Sequence, residues 1–162
     1  MAVSHSLRFG ARLLYDPALP GITVPVRLSI GDVWVETDAK LDTGSSNSVF
    51  AREIGEALGI VVSAGESMRL DTVNGGFLTY GHTVAIRAIE QQLDAMVYFA
   101  AEYGFPRKLL GRRGFIDRLQ LGIVDYDGVL LASAYDDAPE CRMNPAMRQI
   151  LESKRRFRRQ LA

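Results

Sequence analysis

The clearest rhythm along the chain has a period of two. Val24, Val26, Leu28 and Ile30 alternate with Pro25, Arg27 and Ser29, the pattern of a strand with one buried face. Gly31-Asp32 turns the chain. The alternation then resumes, with Val35, Thr37, Ala39 and Leu41 on one side and Trp34, Glu36, Asp38 and Lys40 on the other. Beyond it, the spacing of Phe50, Ile54, Ala57 and Leu58 predicts a short helix, closed by Gly59 at the C′ position. Met68, Leu70 and Thr72, answered by Leu78, Tyr80, His82, Val84 and Ile86, predict a hairpin. Its turn is Val73-Asn74-Gly75-Gly76, centred on Asn74-Gly75, a pair that accepts positive φ. Residues 93–100 read as a further strand, 113–119 as a short helix, and 121–126 with 129–132 as a hairpin about Asp127-Gly128. Asn144 caps and Pro145 opens a closing helix, with Met147, Ile150, Leu151, Phe157 and Leu161 as its apolar stripe. The fold class is therefore all-β: a small closed barrel with a projecting hairpin, short helices and a C-terminal helix.

Composition narrows the setting. A chain of 162 residues, 48% hydrophobic and 23% charged, builds one globular domain with a real core. One cysteine, Cys141, excludes an internal disulfide framework, and two distant histidines, His5 and His82, argue against a zinc site. No run approaches the ~20 apolar residues that span a bilayer, so no membrane partner is expected. The N-terminal stretch lacks the apolar core of a secretory signal, which makes a cytoplasmic location the default expectation. The zero net charge hides an asymmetry: residues 151–162 hold five basic residues against Glu152, a net +4 on a body of net −4. Docking of that basic amphipathic segment on the body or on a partner is the preferred reading. Nucleic acid or an anionic surface is the weaker one. Three regions follow: an N-terminal extension at 1–20, a barrel domain at 21–135 and a basic C-terminal helix or tail at 136–162.

Candidate chemistry changes the picture at Leu41-Asp42-Thr43-Gly44-Ser45, where an apolar strand delivers a carboxylate directly into a Thr-Gly-Ser loop. Taken alone this is a turn sequence. It has two companions: the glycine-tipped hairpin at Asn74-Gly75, and Leu109-Leu110-Gly111-Arg112 further on. In this order and spacing the trio resembles the retropepsin-like aspartic proteases, over roughly 24–132. The resemblance implies an acid-protease-like barrel that works as a homodimer, an aspartic endopeptidase acting on polypeptides. It makes Asp42, Thr43, Gly44 and Ser45 the catalytic loop. Val73, Asn74, Gly75, Gly76 and Phe77 become a substrate-covering flap, and Leu109, Leu110 and Gly111 a support behind the loop. No metal and no organic cofactor is implied.

The chemistry has its own logic. Hydrolysing a peptide bond with neither metal nor covalent nucleophile needs a base for water and an acid for the carbonyl. Two carboxylates about 3 Å apart supply both, because they cannot both ionise and so share one proton. The chain has one Asp-Thr-Gly; Asp71-Thr72-Val73 lacks the glycine, and Asp125-Tyr126-Asp127-Gly128 reads as a turn. The second carboxylate must then come from a second copy across a two-fold axis. Thr43 is expected to bond across that axis. Gly44 is expected to admit backbone N–H groups to the carboxylate, and Ser45 to donate its hydroxyl to the outer carboxylate oxygen. The competing reading is a retropepsin-like peptide-binding module without activity. His82 is expected to be structural, and Trp34 half-exposed or covered. Arg107, Lys108, Arg112 and Arg113 form either a solvated loop edge or, in one case, an ion pair near the loop.

Overall fold

A computed structural model describes residues 7–72 and 75–135. Ten strands dominate it: β1 (Ala11–Leu14), β2 (Thr23–Ile30), β3 (Val33–Leu41), β4 (Ser48–Phe50), β5 (Glu66–Thr72), β6 (Gly75–Ala88), β7 (Gln91–Ala100), β8 (Leu109–Leu110), β9 (Leu119–Val124) and β10 (Val129–Ala134). One α-helix, α1 (Arg52–Ala57), lies between β4 and β5. The large sheet runs β2-β3-β8-β4-β7-β6-β5, and β2 also pairs with β6. That second pairing, through Leu28 and Ile86, closes six strands into a barrel and leaves β5 outside it as the partner of β6 alone.

The alternation that marked β2 and β3 has its physical cause inside this barrel. Val24, Val26 and Leu28 are fully buried, and they meet Val84, Ile86, Val97, Phe99, Phe50 and Leu110 in one core. Burial of side chains of this size is worth roughly 1.5–3 kcal/mol each, so the period-two pattern fixes which face turns inward. The outward face of β3 carries Trp34, which remains half-exposed under the Arg27 guanidinium, 4.4 Å from the ring centroid. Arg27 also pairs with Glu36 at 2.6 Å. The described residues contain no helix long and apolar enough to cross a membrane.

Several expected elements differ in detail. Phe50 ends β4 rather than opening the helix, and α1 covers only Arg52–Ala57, with Gly59 (φ 78°) terminating it. The helix expected at 113–119 is a single 3-10 turn, Ile116–Arg118, because Gly114 takes φ 81° and breaks the run. Thr72 pairs with Gly75, so the residues between β5 and β6 are Val73 and Asn74, one position earlier than Asn74-Gly75. Where β6 leaves the barrel wall to pair with β5, Thr79 rather than Leu78 is buried, its hydroxyl donating to the Met68 carbonyl at 2.8 Å. The connection from β6 to β7 turns on Ile89 and Glu90, at φ 52° and 59°, with none of the usual turn residues. The closing helix at 145–161, the region 136–162 and Cys141 lie outside the described residues.

A second sheet, in the order β1-β10-β9, packs beside the barrel. Its β1 comes from within the segment expected as an N-terminal extension, and it pairs with β10 from Ala11↔Ala132 to Leu14↔Val129. Ala11, Leu130 and Ala132 join the barrel's core cluster. The Tyr15 phenol donates to Asp125 Oδ1 at 2.6 Å, tying the end of β1 to the β9–β10 connection.

Candidate active site

The Asp42 loop is made by the way β3, β8 and β4 lie side by side. β3 runs parallel to β8, with Leu41 opposite Leu110, and β8 runs antiparallel to β4, with Leu109 opposite Val49. The chain leaves β3 at Leu41 and returns as β4 two positions along the sheet, and β8 fills the place between them. The loop between them is therefore clamped from both ends. The Asp42 N–H donates to the Leu110 carbonyl at 3.0 Å, the Arg112 N–H to the Ser45 carbonyl at 2.9 Å, and the Arg113 N–H to the Ser46 carbonyl at 2.9 Å. The Gly111 N–H donates to the buried Ser48 hydroxyl at 3.0 Å. A Cβ on Gly111 would collide with the backbone of Asn47, so only glycine lets β8 come this close.

Asp42 is half-buried. Its Oδ1 accepts the Gly44 N–H at 2.9 Å and the Ser45 N–H at 3.2 Å. Both bonds hold the carboxylate against its own loop, and a Cβ on Gly44 would come within 3.2 Å of that oxygen. The Ser45 hydroxyl does not reach the carboxylate. It donates to the Asn47 carbonyl at 2.7 Å, a nearer acceptor that the loop's tight turn turns toward it. Thr43 stands exposed at the loop's tip. The Asn47 amide reaches across to Met68 Sδ at 3.6 Å, linking the loop to the base of the β5–β6 hairpin.

The hairpin faces this loop. Arg69 Nη2 donates to the Gly76 carbonyl at 3.2 Å, Gly75 takes φ 112°, and Phe77 packs on Phe105 with centroids 4.7 Å apart. Val73 and Asn74, the remaining members of the expected flap, lie outside the described residues. Between loop and hairpin is a hollow of 520 Å³, lined among others by Gly44, Ser45, Asn47, Leu70, Phe77 and Arg113. A second hollow, of 440 Å³, lies on the Asp42 side of the loop beside Lys108 and Leu109. A larger one, of 670 Å³, lies away from Asp42, near Arg12 and Arg87.

Residues 24–95 match the family model described as aspartyl protease. The match supports assigning that segment to the retropepsin-like aspartyl protease family. It contains the Asp42 loop and the β5–β6 hairpin but stops short of Leu109-Leu110-Gly111, whose place behind the loop rests on the hydrogen bonds above. No curated protein matches the chain.

Within this family segment, the sequence left two supporting residues unremarked, Asn47 and Ser48. Their signal was faint: two small polar residues inside an otherwise apolar run toward Phe50. His82 has a structural role, its Nε2 lying 2.8 Å from the Val62 carbonyl. Of the basic residues flanking Leu109-Leu110-Gly111, Lys108 donates to Thr37 Oγ1 at 2.6 Å. None of Arg107, Arg112 and Arg113 pairs with an acid among the described residues. Burial and then the Glu66 charge push the Tyr98 phenol up, and the Arg113 charge opposes them. Among the described residues no cluster of His, Cys, Asp and Glu side chains is placed to hold a metal.

Proposed function

We propose that this chain is a homodimeric aspartic endopeptidase in which Asp42 of each subunit activates one shared water. The observation that carries the reading is the Asp42 loop itself. It holds its carboxylate through two backbone N–H groups, is clamped from behind at Leu110 and Arg112, and stands beside a hollow roofed by a hairpin.

In this mechanism the two Asp42 carboxyls share one proton. The ionised carboxylate takes a proton from water as the water oxygen attacks the scissile carbonyl carbon. The protonated carboxyl gives its proton to the carbonyl oxygen, producing a tetrahedral diol. Collapse breaks the C–N bond, with the leaving nitrogen protonated from one carboxyl and the diol hydroxyl returning a proton to the other. Gly44 and Ser45 keep each carboxylate in place through their backbone N–H groups. Thr43, exposed at the loop tip, bonds its counterpart across the axis in this reading. Gly75, Gly76 and Phe77 form the described part of the cover that shields the diol from bulk water.

The test is Asp42→Asn. Asn cannot accept the proton from water, so cleavage of a peptide library should fall by a factor on the order of 10²–10⁴ or more, with the circular dichroism spectrum unchanged. Wild-type activity should rise with concentration in step with dimer formation seen by sedimentation. Undiminished cleavage by the variant, or a fully active monomer, would overturn the proposal. Peptide binding without cleavage by the wild type would instead identify a binding module.

A further inference from the structure

The two hollows beside the Asp42 loop are lined by five basic residues and three acids. The rest of the molecule does not share that sign, since the first 150 residues carry a net charge of −4. Two of these five cations are already engaged. Arg69 holds the Gly76 carbonyl and Lys108 holds Thr37. Arg107 and Arg113 are not: both are exposed, and neither guanidinium has a hydrogen-bond or ion-pair partner among the described residues. Arg107 lines both hollows and so stands where they meet, while Arg113 lines the one under the hairpin. A free guanidinium presents a rigid fork of donors that matches a carboxylate in two-point fashion.

We propose that this cleft selects acidic polypeptide segments, with Arg107 and Arg113 holding aspartate or glutamate side chains of the substrate close to the scissile bond. The inference rests on the peptidase reading for its setting, and it adds the substrate class. A polypeptide fits better than a nucleic acid because the rings that would stack on bases, Phe77 and Phe105, are packed on each other. The outer edge of β5, the terminal strand of its sheet, also offers main-chain groups to an extended peptide.

The experiment has two arms. In the first, peptides that differ only in Glu, Gln or Lys beside the cleaved bond are compared by kcat/KM. The Glu series should be cleaved best. Arg107→Gln and Arg113→Gln should each cost it roughly three- to fivefold, the scale of a solvent-screened pair, while leaving the Gln series unchanged. Arg113→Glu should shift the preference toward Lys. In the second, a fluorescein-labelled Glu/Leu peptide, its Gln/Leu counterpart and a single-stranded oligonucleotide of equal charge are titrated by anisotropy onto Asp42→Asn protein, at low and at physiological salt. The Glu/Leu peptide should bind most tightly, and weaken with salt and with either Arg→Gln change. Equal cleavage and equal binding of the Glu and Gln series would overturn the inference and leave the peptidase reading standing. Tighter binding of the oligonucleotide would also overturn it. Arginine-dependent binding of the Glu/Leu peptide with no cleavage of any peptide by the wild type would uphold the inference and remove the peptidase reading.

Discussion

Replacing Gly111 with alanine adds one methyl group at the closest backbone approach in the site. The new Cβ would meet the carbonyl, carbon and nitrogen of Asn47, all of them backbone atoms that cannot rotate away. Gly111 does not have a positive φ, so the substitution carries no conformational strain of its own. On that account alone it would even stabilise, by about 0.4–1 kcal/mol, through a less flexible unfolded chain. Overpacking of this kind costs about 1–3 kcal/mol, which leaves a net loss centred on about 1 kcal/mol and at most about 2.6 kcal/mol. For a domain of this size a loss of about 1 kcal/mol lowers the melting temperature by roughly 2–4 °C. Activity should fall further than stability does. The displaced segment carries the Leu110 carbonyl that holds Asp42 and the Arg112 N–H that holds Ser45, and a 1 Å misplacement of a catalytic group costs about 10²-fold in rate. Chemical denaturation and peptidase assays on the same preparation read both quantities. Wild-type stability together with wild-type activity would refute the claim that 109–112 positions the loop.

Two further outcomes are expected. Ser45→Ala should cost about 0.5–1.5 kcal/mol through the lost bond to the Asn47 carbonyl, and should leave the acid limb of the kcat/KM profile where it is; a limb displaced to higher pH would show that the hydroxyl faces the carboxylates after all. The Asp125 carboxylate, accepting the Tyr15 phenol's hydrogen bond, together with burial, pushes that phenol up to about 12, so the folded state resists its ionisation: the stabilisation is complete below the ordinary phenol value of about 10 and is lost as pH rises toward 12. The difference in denaturation midpoint between wild type and Tyr15→Phe should shrink over that window, and a constant difference would contradict it.

What could be read from the sequence depended on how far away the deciding partner lies. β2, β3 and the presence of the β5–β6 hairpin were legible because their partners lie a few residues off, although the hairpin's turn falls one position earlier than Asn74-Gly75 and Thr79 replaces Leu78 on its buried face. β4 and β8 were not, being three and two residues long. They are strands only because the barrel brings Val49 opposite Leu109 and Leu41 opposite Leu110. β1 was missed for the same reason, its partner β10 lying more than a hundred residues on. The Ile89-Glu90 turn carries no glycine or asparagine to announce it, and its backbone is imposed by the ladder that pairs Ala88 with Gln91. At the site, the Asp42 loop and the segment behind it were legible as motifs. The direction of the Ser45 hydroxyl was not, because it depends on which of two acceptors lies nearer once the loop has closed.

The loop's geometry also separates what one chain does alone from what it needs a second copy to do. Asp42 Oδ1 takes both backbone donors, and Oδ2 takes none among the described residues, so one oxygen is fixed and the other is open to water or a partner carboxyl. The bonds from Leu110, Gly111 and Arg112 that hold the loop are intramolecular. Proton sharing, on the proposed mechanism, comes only from outside the chain. Defects of the two kinds should therefore respond differently to concentration. A chain that dimerises weakly regains activity as it is concentrated, because mass action restores the second carboxylate. Gly111→Ala displaces a loop whose supports are internal, so its loss of rate per dimer should persist at saturating concentration. Recovery of that variant to the wild-type rate on concentration alone would place the role of Gly111 at the subunit contact instead of behind the loop.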